Sequence, residues 1–127
     1  NLEDMTYFTA FRDAKPVGRI VCHIHRASNE RHGVSQGYFG FFECENRQDT
    51  AKALLDAAIK FARHHNLKEV IGNMNMTAMQ QIGVMTDGFE NPPYSDQIHS
   101  SSYLPQLLEN EGFEKFFPIT TYEIKLN

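Results

Sequence analysis

The pattern of apolar and polar positions divides the chain into short strands and one long helix. Thr6 to Arg12 (TYFTAFR) is rich in aromatic and β-branched residues and predicts a strand. Asp13-Ala14-Lys15-Pro16, with Gly18 close behind, predicts a turn. Arg19 to His25 (RIVCHIH) predicts a second strand, with Ile20, Cys22 and Ile24 on one face and Arg19, Val21, His23 and His25 on the other. The short connection favours an antiparallel hairpin. Ala27 to Gln36 is polar, contains Gly33 and is expected to be a loop. Gly37 to Cys44 (GYFGFFEC) is nearly all apolar, as expected of a strand covered on both faces.

The helical signal follows directly. Ala51, Leu54, Leu55, Ala58, Ile59 and Ala62 recur at the spacing of one helix face. Lys52, Asp56 and Lys60 fall opposite at i, i+4 and can pair. Asn46 and Thr50 compete as N-caps. His64 and His65 suit the negative end of the dipole, and Asn66 suits a left-handed exit. Lys68 to Met74 predicts a further strand, so the strands flanking the helix form a parallel βαβ pair.

Asn75 to Ser102 has little pattern: a helical turn over Thr77 to Gln81, a short strand over Gly83 to Thr86, and turns at Asp87-Gly88 and Pro92-Pro93. So long an irregular segment inside a compact domain raises the expectation of a binding loop. Tyr103 to Glu111 predicts a helix with Pro105 in its first turn and Gly112 at its end. Phe113 to Phe117 and Thr120 to Leu126 read as two last strands.

Composition narrows the class. A chain of 127 residues is one domain's worth of length, and 41% hydrophobic with 22% charged residues is ordinary for a soluble protein. The net charge of -4 argues against a nucleic-acid binder, and no apolar run reaches membrane-span length. Asn1-Leu2-Glu3-Asp4 has neither the positive nor the apolar region of a signal peptide. Cys22 and Cys44 cannot form a disulfide framework and fit a reducing, cytoplasmic setting.

Several segments then carry a resemblance: Lys15-Pro16-Val17-Gly18-Arg19-Ile20, Gly37-Tyr38-Phe39-Gly40-Phe41-Phe42-Glu43-Cys44, Asp87-Gly88-Phe89-Glu90-Asn91-Pro92-Pro93, and Leu107-Leu108-Glu109-Asn110-Glu111-Gly112-Phe113-Glu114-Lys115. Together with the element order, they resemble an uncharacterised branch of the GNAT acyltransferase superfamily over almost the whole chain. The resemblance implies an α/β fold with a mixed, mostly antiparallel sheet, one parallel βαβ pair and two main helices. The family's usual first strand and two following helices have no counterpart here, so the expectation is a single, N-terminally incomplete domain over 1–127.

The resemblance also implies a function, transfer of an acyl group from acetyl-CoA or another acyl-CoA to an amine of a small molecule or peptide. The cofactor pyrophosphate would rest on the helix-opening loop, at Cys44, Asn46, Arg47, Gln48, Asp49, Thr50 and Ala51. The family's loop carries Arg or Gln, then Gly, then Gly or Ala at positions matched here by Asn46, Asp49 and Ala51, and only Ala51 fits. Asp49 sets a carboxylate where an anion would approach, unless it turns aside to cap the helix. Leu108 occupies the place of the tyrosine that protonates the leaving thiolate in many members, and Ser101 replaces a helical Asn. Tyr103 is expected off that face. Glu43 is the candidate base.

These departures support a second expectation, a GNAT-like module that has lost catalysis and binds a ligand or partner. Other clusters have plainer readings. His23, His25 and His32 read as a polar strand face and loop rather than a metal site. Cys44 reads as a small buried residue rather than a nucleophile. Met74, Met76, Met79 and Met85 read as gap fillers or an adaptable pocket wall. Arg26, Arg31 and His32 read as a solvated loop, with a CoA phosphate as the sharper reading. An uncovered strand edge leads to the expectation of a homodimer, or of cover by another part of the same polypeptide.

Overall fold

In a computed structural model of the chain, residues 4–75, 81–86, 89–90 and 100–115 are described. β1 (Met5–Arg12) and β2 (Lys15–His23) form an antiparallel hairpin, Met5 opposite His23 and Arg12 opposite Lys15. Asp13 and Ala14 have φ of 50° and 67°. Two successive left-handed residues make a type I′ turn, whose twist suits paired strands. The turn is therefore tighter than the sequence indicates, and β2 starts at Lys15 rather than Arg19. It also ends before His25, because the chain turns at once into α1 (Arg26–His32).

The polar loop expected over Ala27 to Gln36 is thus partly a helix, which corrects the count of helices from two to three. α1 buries no residue. Hydrophobic periodicity could not reveal it. Its ends hold it: Gly33 closes it at φ 63°, and Asn29 donates from Nδ2 to the Gln36 carbonyl at 2.9 Å.

β3 (Gln36–Cys44) pairs antiparallel with β2. α2 (Gln48–His64) crosses back over the sheet, and β4 (Glu69–Ile71) returns parallel to β3. The strand order is β1-β2-β3-β4, the expected mixed sheet with one parallel pair. The expected strand from Lys68 to Met74 is broken at Gly72 and Asn73, after which β5 (Met74–Asn75) pairs with β6 (Gln81–Ile82) in a separate sheet. Gly83 to Thr86 is not a strand. α3 (Leu104–Asn110) follows the expected helix, and Phe113 to Lys115 is irregular. The helical turn expected over Thr77 to Gln81 falls outside the described residues except for Gln81, which opens β6, and the turns expected at Asp87-Gly88 and Pro92-Pro93 and the strand expected over Thr120 to Leu126 lie outside them.

The α2 stripe is buried as its periodicity predicts except at Ile59, which is half-buried. Thr50, Ala51, Leu54, Leu55, Ala58 and Ala62 are buried, and Ala51, Leu54, Leu55 and Ala58 pack on Ile20, Cys22, Phe39 and Phe42 of the sheet with Leu104 and Leu107 of α3. Lys52 and Asp56 pair at 3.0 Å on the outer face, and Asn66 makes the left-handed exit at φ 58°. Gly18 marks the closest approach of sheet and helix. A Cβ there would lie 2.7 Å from Leu54 Cδ1 and 2.8 Å from Cys44 Cβ.

β3 carries a bulge. Val21 faces Gly40 but Arg19 faces Glu43, so one extra residue is accommodated around Phe41, which takes φ 49°. Parallel pairing with β4 runs from Gln36 to Tyr38. Beyond it the Phe42 amide donates to Asn73 Oδ1 at 3.1 Å, so a side chain replaces a ladder partner where the strands part.

Candidate functional site

The turn from β3 into α2 gathers the residues singled out for the cofactor. Cys44 ends β3, Asn46 and Arg47 lie in the turn, and Gln48, Asp49, Thr50 and Ala51 form the first turn of α2. Arg47 is the N-cap residue and no side chain caps the helix, so neither Asn46 nor Thr50 takes the expected role. Backbone N–H groups at a helix start lack intrahelical partners and favour anions. Two of those in question are already engaged. Thr50 N donates to Asp49 Oδ1 at 3.0 Å, and Ala51 N donates to the Arg47 carbonyl at 3.2 Å. The Gln48 side chain faces α3, donating to the Leu107 carbonyl at 3.0 Å and to Glu111 Oε2 at 2.6 Å.

Asp49 does turn aside, though not to cap. Arg12 Nη2 donates to its Oδ2 at 3.1 Å and Arg47 Nε to its Oδ1 at 3.2 Å. Arg12 Nε also donates to Glu45 Oε1 at 3.0 Å, and Thr50 Oγ1 donates to the same oxygen at 2.6 Å. The bond from Arg12 holds the Asp49 carboxyl below its ordinary range, and the Thr50 hydroxyl followed by Arg12 does the same for Glu45. Arg12 is in turn held more firmly charged, by Asp49 first and Glu45 second. The negative charge placed at the helix start by Asp49 is thus matched by two guanidinium groups. Sequence reading did not find Glu45 or Arg12, because the partners lie more than thirty residues apart and no local pattern links them.

A cleft of about 580 Å³ opens beside this turn, lined by Thr9, Pro16, Val17, Gly18, Arg19, Glu43, Cys44, Glu45 and Tyr103. Thr9 faces Arg19 and Arg19 faces Glu43 across the strands, so these three share one sheet face, away from α2. Arg19 Nε donates to the Phe41 carbonyl at the bulge, 3.1 Å away. Ser101 Oγ donates to Glu43 Oε1 at 3.3 Å. Tyr103, expected off the relevant face, lines the cleft and donates from its hydroxyl to the Cys44 carbonyl at 2.6 Å. Leu108 instead packs against the core.

Other candidates resolve differently. Cys44 is buried, and burial followed by Glu43 and Glu45 pushes its thiol up to about 11, which suits a small buried residue. Burial also pushes the Cys22 thiol up to about 12. Arg26 donates to Asp4 Oδ1 at 2.6 Å and approaches His65, at the opposite end of α2 from Gln48. Seventeen residues of helix, about 24 Å, separate it from the candidate phosphate turn. Among the described residues no three His, Cys, Asp or Glu side chains gather as a metal site, and no helix is long and apolar enough to cross a membrane.

His23 is not on a solvated strand face, as expected, but 2% exposed. It stacks on Tyr38 with centroids 5.6 Å apart and meets His25 edge-on at 4.9 Å. The Met74 carbonyl can only accept, so neutral His23 carries its proton on Nε2, 3.1 Å away. Among the described residues Nδ1 has no partner. Desolvation holds the imidazole below its ordinary pKa. Its depressed value means that its stabilisation is present above the unfolded pKa of about 6.5 and is lost as pH falls through the folded value. Thermal unfolding of the wild type is therefore expected at lower temperature in mild acid than at neutrality, and His23→Phe should flatten that dependence. Equal pH slopes for the two proteins would refute it.

The strand order, the bulged β3, its separation from β4 and the βαβ crossover define a GNAT-like α/β fold, the fold of acetyltransferases. An aminoglycoside acetyltransferase from an uncultured soil metagenomic sample, solved with sisomicin, superposes with a TM-score of 0.59 at 14% identity, over 100% of this chain and 69% of that one. Two curated proteins are similar in sequence. Bacterial ceramide synthase of Caulobacter vibrioides is 25% identical over 121 residues, 94% of this chain and 32% of that protein. Protein YghO of Escherichia coli K12 is 26% identical over 99 residues, 78% of this chain and 25% of that protein. The chain thus spans a quarter to a third of the curated relatives it matches. No family model matches it.

Proposed function

We propose that the chain forms the acyltransferase core of an enzyme that transfers an acyl group from acyl-CoA to an amine. The observation that carries this reading is the placement of the Glu43 carboxylate in a cleft beside the first turn of a long helix, on a GNAT-like sheet. The similarity to bacterial ceramide synthase supports it, since a ceramide is an amide of a fatty acid. The buried thiols of Cys22 and Cys44 fit a cytoplasmic setting.

In this reading the α2 start receives the cofactor pyrophosphate, with Arg12 and Arg47 as neighbouring cations. The carboxylates of Glu43 and Glu45 draw an ammonium group into the cleft. Glu43 takes a proton from the amine, directly or through one water. The nitrogen lone pair attacks the thioester carbonyl and the C–N bond forms; the C–S bond then breaks, the thiolate departs with its electron pair, and the surplus proton on the positively charged nitrogen passes to that thiolate, which leaves as the thiol. A thiol of ordinary pKa, about 8.5, needs little acid assistance on leaving. The Tyr103 hydroxyl in the same cleft is the phenol placed to give it.

Calorimetry with acetyl-CoA tests the cofactor half. Binding is expected, and Asp49→Gly should tighten it, because a carboxylate leaves the helix start, Arg47 loses its partner there and Arg12 keeps only Glu45 and Thr50. A gain of about tenfold corresponds to about 1.4 kcal/mol. Absence of binding at millimolar acetyl-CoA in both proteins would sink the enzyme reading and leave the non-catalytic module.

A further inference from the structure

The cleft holds an arginine and a carboxylate that stand side by side and do not pair. Arg19 on β2 and Glu43 on β3 are direct cross-strand partners. Their Cβ atoms therefore lie about 5 Å apart on one sheet face, an arrangement in which opposite charges gain by pairing. Here each is drawn elsewhere. Arg19 Nε donates to the Phe41 carbonyl at the β3 bulge, and Glu43 Oε1 accepts from Ser101 Oγ at 3.3 Å. Among the described residues neither side chain has a further polar partner. The other carboxylate of the cleft behaves differently. Glu45 is matched by Arg12 at 3.0 Å and takes the Thr50 hydroxyl at 2.6 Å. One guanidinium and one carboxylate thus remain unmatched in a cleft of about 580 Å³, which is room for a small molecule.

We propose that the cleft takes a free α-amino acid, with its carboxylate on Arg19 and its ammonium group on Glu43, so that Arg19 selects the acceptor. The proposal rests on the acyl-transfer reading above. With Nε bound to Phe41, Arg19 keeps the donors of both Nη nitrogens, an edge that receives a carboxylate bidentately. Glu43 keeps Oε2 as an acceptor for the ammonium group. In an α-amino acid a single carbon separates the two charged groups, which suits receptors on adjacent cross-strand positions. Other amines fit less well. A plain amine sets its ammonium group beside an unmatched guanidinium, which repels it and gains no partner. A peptide N-terminus offers a neutral carbonyl where the carboxylate would stand. Pro16 and Val17 on the same lining give an apolar side chain a surface to meet. The bonds formed and broken are those of the acyl transfer above, and the acceptor carboxylate takes no part in them.

The test is calorimetry with leucine, leucinamide and 3-methylbutylamine, which share a side chain and differ in the group beside the nitrogen. It is run at about pH 6.5, below the ordinary α-amino pKa, so that all three carry an ammonium group. Leucine is expected to bind at least about tenfold more tightly than either of the others, the size of one charge-assisted pair. Arg19→Met should remove that preference. Arg19→Lys, which keeps the charge without the fork, should retain part of it. Arg19 is exposed, so both variants should unfold near the wild-type temperature. Equal affinities for the three ligands in the wild type overturn the proposal, as does a preference that survives Arg19→Met. O-phosphoethanolamine, whose anion stands farther from its nitrogen, is a further arm. If it binds more tightly than leucine, the cleft selects a phosphate monoester and the proposal falls. Calorimetry with acetyl-CoA separates the two readings. Arg19-dependent leucine binding without acetyl-CoA binding removes the acyl-transfer reading alone. Acetyl-CoA binding without discrimination among the three amines removes the amino-acid acceptor alone.

Discussion

Glu43→Gln is expected to lower the rate of amide formation by about 10²- to 10⁴-fold, the usual contribution of a positioned general base. The substitution keeps the size of the side chain and an oxygen able to accept the bond from Ser101. It removes only the proton acceptor. Acyl-CoA affinity, read by calorimetry, should hardly change, because the turn proposed to receive it is held by the Arg12, Glu45 and Thr50 contacts rather than by Glu43. The loss should therefore fall on kcat. A variant retaining more than about a tenth of wild-type kcat would exclude Glu43 as the base. An equal loss in Ser101→Ala would show instead that the orientation of Glu43 matters as much as its charge.

Phe39→Ala should be among the most destabilising single changes in the core, by about 3–5 kcal/mol. Phe39 is 1% exposed and meets Phe42 and Phe113 edge-on at 5.9 Å and 5.6 Å. Gly72 leaves room for its ring: a Cβ on Gly72 would lie 2.5 Å from Phe39 carbons. The aromatic core of β3 thus holds the segment after β4 and the end of α3 together, and truncation empties a space that three elements share. A loss of this size corresponds to more than about 10 °C in unfolding temperature for a domain of this length. A fall of less than about 3 °C by circular dichroism would show that the neighbouring rings collapse into the gap.

How much of this was legible in the sequence depended on the range of the forces involved. The α2 stripe, its Lys52–Asp56 pair and its Asn66 exit are local consequences of helical geometry, and Ala51, Leu54, Leu55, Ala58 and Ala62 are buried as their spacing implies. The hairpin and the parallel βαβ pair follow from strand alternation and connection length. α1 was hidden because it buries no residue and is held by end contacts. The interruption at Gly72-Asn73 was hidden because the amide that Asn73 serves, at Phe42, is thirty-one residues away. In the candidate site, Glu43 and the α2 turn could be named from the chain. The guanidinium of Arg12 and the hydroxyl of Tyr103 could not, since folding alone brings β1 and α3 to the end of β3.

The Asn73 side chain has a consequence for any ligand that enters between β3 and β4. Strands normally part only by breaking ladder hydrogen bonds, and a buried amide left without a partner costs about 1–3 kcal/mol. Here the Phe42 amide is already satisfied by a side chain that keeps the backbones apart, and Asn73 itself is anchored by Gly83, whose amide donates to the Asn73 carbonyl at 2.6 Å. The wedge is built during folding, so a chain entering there would find the Phe42 amide already satisfied. Its affinity would carry no penalty for prying the sheet apart, which is preorganisation supplied by one amide side chain.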